Sequence, residues 1–218
     1  MNRSFRLIFK VAETEAEVLQ CQSLIAQVYY KELGITFSST YNPENKIELW
    51  PHHYLMGLVN DELVSTISLY IHSTNLERYG GVTSEDIDSL LAETEVPCKY
   101  SGNYIRELTK FVVKENWRKK GIGKLLMAVA HSKNFIQINE EKPHLISITS
   151  KLSTFNYFLD PIGIKTRLIK LIPAFKIHEL YSNERDPMQS RLIIPDIDIP
   201  KQWYNLKLPA EYQITSNK

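Results

Sequence analysis

Two hydrophobic periods that alternate along one chain predict an α/β fold. Residues 104–113 pack Ile105, Leu108, Phe111, Val112 and Val113 into a β-rich run. A few residues later Ile122, Leu125, Leu126 and Val129 recur at three- and four-residue steps, the period of a helix with one apolar face. The third observation is size. With 218 residues, 43% hydrophobic and 23% charged, the chain can bury a real core and is not of disordered composition. One domain is expected over residues 1–200, with 201–218 as a packed or trailing C-terminal tail.

The other elements follow in order. Phe5–Val11 reads as a first strand. Thr14 and Glu17 have the spacing of a capping box, and Val18, Cys21, Ile25 and Val28 then line one helical face. A polar stretch over 34–51 interrupts the pattern. Tyr54–Val59 and Leu63–Ile71 are strands, and Asn60-Asp61 between them is a hairpin signal. A loop over 72–82 leads to a short helix carrying Ile87, Leu90 and Leu91. After the strand and helix already described come a strand at Leu145–Thr149 and a short helix at Phe155–Leu159, stopped by Asp160-Pro161 and Gly163. Two late strands, Thr166–Ile172 and Ser190–Ile194, complete the pattern.

The richest segment joins residue 113 to residue 122. It reads Arg118-Lys119-Lys120-Gly121-Ile122-Gly123-Lys124. Glycine lets a backbone approach a ligand closely. The free N–H groups and positive dipole end of a helix's first turn attract anions. Arg118, Lys119, Lys120 and Lys124 add four cations, so the segment reads as a phosphate cradle directly after a strand. It is not a Walker loop, and it lacks the third glycine of a dinucleotide fingerprint.

Arg118-x-x-Gly121-x-Gly123, after a hydrophobic strand and before an amphipathic helix, resembles the acyl-CoA motif of the GCN5-related N-acetyltransferases (GNATs). The resemblance is specific over roughly residues 104–130. It implies a mixed central sheet of about seven strands flanked by helices. The extra helix near 84–93 and the polar 34–51 segment depart from that pattern. Glu107-Leu-Thr-Lys-Phe-Val-Val also resembles a strand of acyl-homoserine-lactone and N-acyl amino acid synthases. Leu24–Gly34 resembles a helix end of the same branch, but Ala26 or Gln27 stands where that branch has arginine. Tyr41–Asn45 lacks its aspartates.

The resemblance implies an N-acyltransferase that moves an acyl group, acetyl in the main reading, from acyl-CoA to a primary amine on a small molecule or peptide. Two alternatives stand beside it: a long-chain N-acyl amino acid or acyl-homoserine-lactone-type synthase, and an inactive CoA-binding sensor. Glu107 takes the place of the general base. A free carboxylate is a weak base for an ammonium, so burial or a relaying water must assist it. Phe111, Val112 and Val113 would pair with the pantetheine arm, on a strand whose bulge frees an N–H for the oxyanion. The loop Arg118, Lys119, Lys120, Gly121, Ile122, Gly123 and Lys124 would hold the pyrophosphate. Tyr157 is the candidate acid, although it stands one residue further from Gly163 than the family's spacing and Phe158 fills the usual place. Asn156 would touch the CoA arm.

Other classes have less support. Net charge is +1, and no basic interleaved surface points to nucleic acid. His52-His53 is the only histidine pair, and no cysteine or aspartate spacing completes a metal site, so no metal is expected. Cys21 and Cys98 form no framework, which suits a reducing cytoplasm. No apolar run reaches the length of a membrane span, and the N-terminus lacks a cleavage signal.

Overall fold

The computed structural model describes residues 3–33, 52–71, 105–138, 145–171 and 185–216. The polar stretch at 34–51, the loop at 72–82, the helix near 84–93 and Cys98 lie outside the described residues. The strands are β1 (Arg3–Val11), β2 (His52–Val59), β3 (Glu62–Ile71), β4 (Ile105–Val113), β5 (Leu145–Lys151), β6 (Arg167–Leu171), β7 (Met188–Ile193) and β8 (Ala210–Ser216). They form one sheet in the order β6-β7-β5-β4-β3-β2-β1-β8. β4 and β5 run parallel; β1–β2, β1–β8, β2–β3, β5–β7 and β6–β7 are antiparallel. The eighth strand is the difference from the expected seven. The segment expected as a tail supplies it, pairing Ala210–Ser216 with Arg3–Phe9.

The chain divides into two compact units. The first holds Met1–Tyr70, Thr109–Glu141 and Lys201–Lys218; the second holds Ile71–Leu108 and Lys142–Pro200. β4 contributes its first four residues to the second unit and its last five to the first.

In the first unit, helix α1 (Glu15–Leu33) starts at the predicted capping box. Glu17 N–H donates to Thr14 Oγ1, and the Glu17 carboxylate accepts from the N–H groups of Thr14 and Glu13. Lys10 adds an ion pair that, with these bonds, holds the Glu17 carboxyl down to about 2. Cys21, Leu24 and Ile25 pack on Tyr54, Met56 and Val112, with Val18 and Val28 at the margin. Burial pushes the Cys21 thiol up to about 12, so it is a packing group and not a nucleophile. The β2–β3 hairpin turns at Asn60 and Asp61, with φ of 48° and 64°, as a two-residue loop with both residues left-handed requires. Gly57 has a packing reason. A Cβ there would lie 2.1 Å from Ser65 Oγ and 2.8 Å from the Phe9 ring.

Helix α2 (Ile122–Ala130) buries Ile122, Leu126, Met127 and Val129, and the short helix α3 (Lys133–Ile136) follows it. His131, between them, is fully buried. Its Nδ1–H donates to the Met127 carbonyl at 2.6 Å, and Nε2 has no partner among the described residues. Burial pushes the imidazole down to about 4, against the Met127 carbonyl's opposing pull.

The second unit packs β5, β6 and β7 with helix α4. This helix begins at Leu152–Thr154, widens into a π turn over Phe155–Leu159 and tightens to a 3-10 turn over Asp160–Ile162. Asp186 caps its start through the Ser153 N–H and hydroxyl at 2.7 and 2.8 Å. Gly163 ends it with φ of 80°, a left-handed stop. Helix α5 (Pro195–Asp198) lies in this unit, and helix α6 (Lys201–Tyr204) precedes β8 in the first. Buried Asp198 accepts from the Ile194 N–H and pairs with Arg167.

His131 sets a pH dependence of stability. Its folded pKa of about 4 lies below the ordinary 6.5, so between those values the unfolded chain takes up a proton that the native state refuses. Stability should be full above pH 6.5 and fall by about 3 kcal/mol in all as the pH drops to 4. Glu17 loses its stabilising pair only below about 4.5. Melting curves of wild type and His131→Gln between pH 7 and 4.5 check this: the variant should be the flatter. Equal slopes would remove His131 as the cause.

Candidate acyl-CoA site

The candidate residues divide between the two units. In the first, the end of β4 leads through a 3-10 turn at Glu115–Trp117 into the loop and helix α2. Lys119 has φ of 60° and Gly121 has φ of 80°, so two left-handed residues shape the loop. Such alternation turns successive N–H groups to one side, the geometry of an anion-binding concavity. Gly121 is the N-cap of α2, and as a glycine it has no side chain to cap the helix. The helix's own bonding begins with Leu125 N–H donating to the Gly121 carbonyl. The N–H groups of Ile122, Gly123 and Lys124 precede that bond and are the orphan donors of a first turn. A Cβ built on Gly121 meets nothing within 4 Å, so backbone conformation, not crowding, requires glycine.

The four loop cations are not equivalent in their contacts. Arg118 Nε–H donates to the Val113 carbonyl at 2.9 Å, and its Nη2 pairs with Glu32 of α1. Lys120 donates to the Asn116 carbonyl at 2.8 Å and sits 4.5 Å over the Trp117 ring. That ring meets Phe5 edge to face at 5.3 Å. Lys119 and Lys124 make no ion pair among the described residues. Val112 and Val113 are buried, and Phe111 is half-buried. Lys110, just before them, has φ of 55° in the middle of β4. A left-handed non-glycine residue inside a strand is strained and marks a local break in its extended course.

In the second unit, the β4–β5 register is Ile105↔Leu145, Arg106↔Ile146 and Glu107↔Ser147. Residues opposite each other share a face, and faces alternate along a strand. Glu107, 5% exposed, therefore shares a face with Ser147 and Thr149, and across β7 with Ser190, whose Oγ lies 3.1 Å from Thr149 Oγ1. The opposite face carries Ile148, Ser150 and Arg191. Helix α4 covers it: Ser150 donates to Thr154, and the Arg191 guanidinium sits 4.5 Å over the Phe155 ring. Asn156 and Tyr157 ride on that helix, both exposed, Tyr157 at 67%. Base candidate and acid candidate thus belong to opposite faces of the sheet. The extra residue before Gly163 falls where the helix is π, and a wide turn absorbs one residue.

This architecture has solved counterparts. BjaI, a CoA-dependent acyl-homoserine lactone synthase solved with MTA, superposes with a TM-score of 0.57 at 17% identity, over 90% of this chain and 85% of that one. The acyl-homoserine lactone synthase LasI gives 0.56 at 11% identity, over 91% and 93%. FeeM, an N-acyl amino acid synthase from uncultured soil microbes, gives 0.51 at 11%, over 90% and 93%. The fold is the GNAT fold. No protein-family model and no curated protein matches the sequence.

Within the GNAT fold, sequence reasoning missed three things. The hydroxyl row Ser147, Thr149 and Ser190 was in view as the alternation Ile-Ser-Ile-Thr of β5. The position of the β4 irregularity, at left-handed Lys110, and the Glu32 partner of Arg118 left no local signal. Among the described residues no group of acidic, histidine or cysteine side chains could hold a metal ion, and no helix is long and apolar enough to cross a membrane.

Because Gly121 has space but a positive φ, Gly121→Ala should lower stability by about 1–2 kcal/mol through backbone strain alone. Gly121→Asn, which tolerates the left-handed region, should recover much of that. Thermal melts of the pair decide it; an alanine variant as stable as wild type would show that the loop does not need this conformation.

Proposed function

We propose that this chain is an N-acyltransferase that moves a short acyl group, acetyl in the first instance, from acyl-CoA to a primary amine. The observation that carries the reading is the left-handed loop and uncapped start of α2 directly after β4, the strand that also bears the buried Glu107. In this reading the N–H groups of Ile122, Gly123 and Lys124 take the pyrophosphate. Phe111, Val112 and Val113 lie along the pantetheine arm.

The chemistry is direct attack. Glu107 removes a proton from the acceptor ammonium, and a carboxylate out of water is a stronger base for it. The free amine attacks the thioester carbon; the C–N bond forms and the carbonyl electrons move to oxygen. A backbone N–H at the Lys110 break would stabilise that oxyanion. The C–S bond then breaks as the carbonyl re-forms, the nitrogen gives its remaining extra proton to water, and the CoA thiolate takes a proton from Tyr157 or from water. A cytoplasmic location, where acyl-CoA is at hand, fits this chemistry.

The structural likeness to BjaI, LasI and FeeM favours a second reading, an acyl-homoserine lactone or N-acyl amino acid synthase with a longer acyl chain. Chain length separates the two. Each buried CH₂ adds about 0.8 kcal/mol, so a tunnel would bind decanoyl-CoA far more tightly than acetyl-CoA. Competition binding of acetyl-, octanoyl- and decanoyl-CoA should favour acetyl. Tighter binding and faster turnover with the long chains would transfer the protein to the synthase reading.

Glu107→Gln should leave acyl-CoA binding intact and lower kcat by about 10²–10⁴-fold in a thiol-release assay over a panel of amines. An unchanged rate at neutral pH would take Glu107 out of the mechanism. Binding without thiol release from any amine by the wild type would leave a CoA sensor.

A further inference from the structure

Resting on the acyl-CoA reading of the loop, we propose that Arg118 is a positioning residue. It holds the shape of the phosphate cradle and does not contact the phosphates, whose charge is met by Lys119 and Lys124. The Arg118 Nε–H bond at 2.9 Å ends on the Val113 carbonyl, the last residue of β4. Its Nη2 is committed to Glu32 in the last turn of α1. One guanidinium therefore joins the strand before the loop, the loop itself and the helix that packs beside them. A second pair, Lys31 with Glu115, ties α1 to the turn just before the loop.

A swing of Arg118 toward a phosphate would strip the Val113 carbonyl of this donor and leave Glu32 without its cation. Lys120 is similarly engaged, on the Asn116 carbonyl and the Trp117 ring. Lys119 stands at a left-handed loop position and Lys124 in the first turn of α2, and neither is neutralised by an ion pair among the described residues. Two lysines and the first-turn N–H groups suffice for an anion.

Arginine's planar fork makes both Arg118 contacts at once, and lysine cannot. Lysine is nevertheless a good point-charge partner for phosphate. The test uses that difference. CoA affinity is measured by calorimetry at low and high salt for wild type, Arg118→Lys, Arg118→Gln, Glu32→Gln and the double variant Lys119→Ala/Lys124→Ala, with ligand-free melting temperatures alongside.

Arg118→Lys and Arg118→Gln should weaken CoA equally, by about tenfold, the worth of a lost charge-assisted bond that shapes the site. Glu32→Gln should weaken it too. The double lysine variant should weaken it about tenfold at low salt and far less at high salt, because exposed charge is screened. Arg118→Lys binding like wild type while Arg118→Gln does not would overturn the proposal. So would tighter binding by Glu32→Gln, the mark of a guanidinium freed to reach phosphate. A wild type that binds no CoA would sink the acyl-CoA reading instead. The positioning role is then decided by melting: both Arg118 variants must melt below wild type, and unchanged melting in both overturns it.

Discussion

Burial of both faces of the central strands is the constraint on which the other features rest. β3 is buried without interruption from Leu63 to Tyr70, and β4 from Ile105 to Leu108. A strand covered on both sides must satisfy its backbone in the sheet and its polar side chains locally. Ser68 does so by donating to the Thr109 carbonyl. Glu107 and Arg106 are carried into the same buried strand. The strand proposed to bind acyl-CoA is also a core strand.

Left-handed backbone is concentrated where the chain must change direction against that rigid layer. Asn60 and Asp61 turn the β2–β3 hairpin, and Gly163 stops α4. Lys110, Lys119 and Gly121 lie within twelve residues of one another on the strand and loop proposed to hold acyl-CoA. Two of these three are lysines, for which the conformation is costly. Strain of this kind persists only when surrounding contacts over-determine it. The Arg118 and Lys120 bonds back to Val113 and Asn116 are such contacts around the loop.

Buried polar groups mark the cost of this packing. His131 keeps one nitrogen satisfied, and the other has no partner among the described residues. Ser147, Thr149 and Ser190 form a hydroxyl row on the Glu107 face, whereas the other face is closed by the Phe155–Arg191 stack beneath α4. Covering one face with a helix and lining the other with hydroxyls gives β5 two chemically distinct sides, although its residues are buried or half-buried throughout.

By itself the sequence determined what short-range chemistry can carry. Thr14 with Glu17, the Asn60-Asp61 turn, the heptad-like stripe of α2 and the Gly121 N-cap are local, and each is set by residues within a few positions of one another. The GNAT fold followed from their order. The tertiary structure decided what depends on distant partners. β8 was invisible because prolines at 200 and 209 precede it and its pairing with β1 spans about two hundred residues. The left-handed Lys110 was invisible because lysine has no preference for that region. Arg118 looked like a free cation because its partner Glu32 lies 86 positions away in the chain. Charge is legible from sequence; whether a charge is already spent depends on a neighbour that only folding supplies.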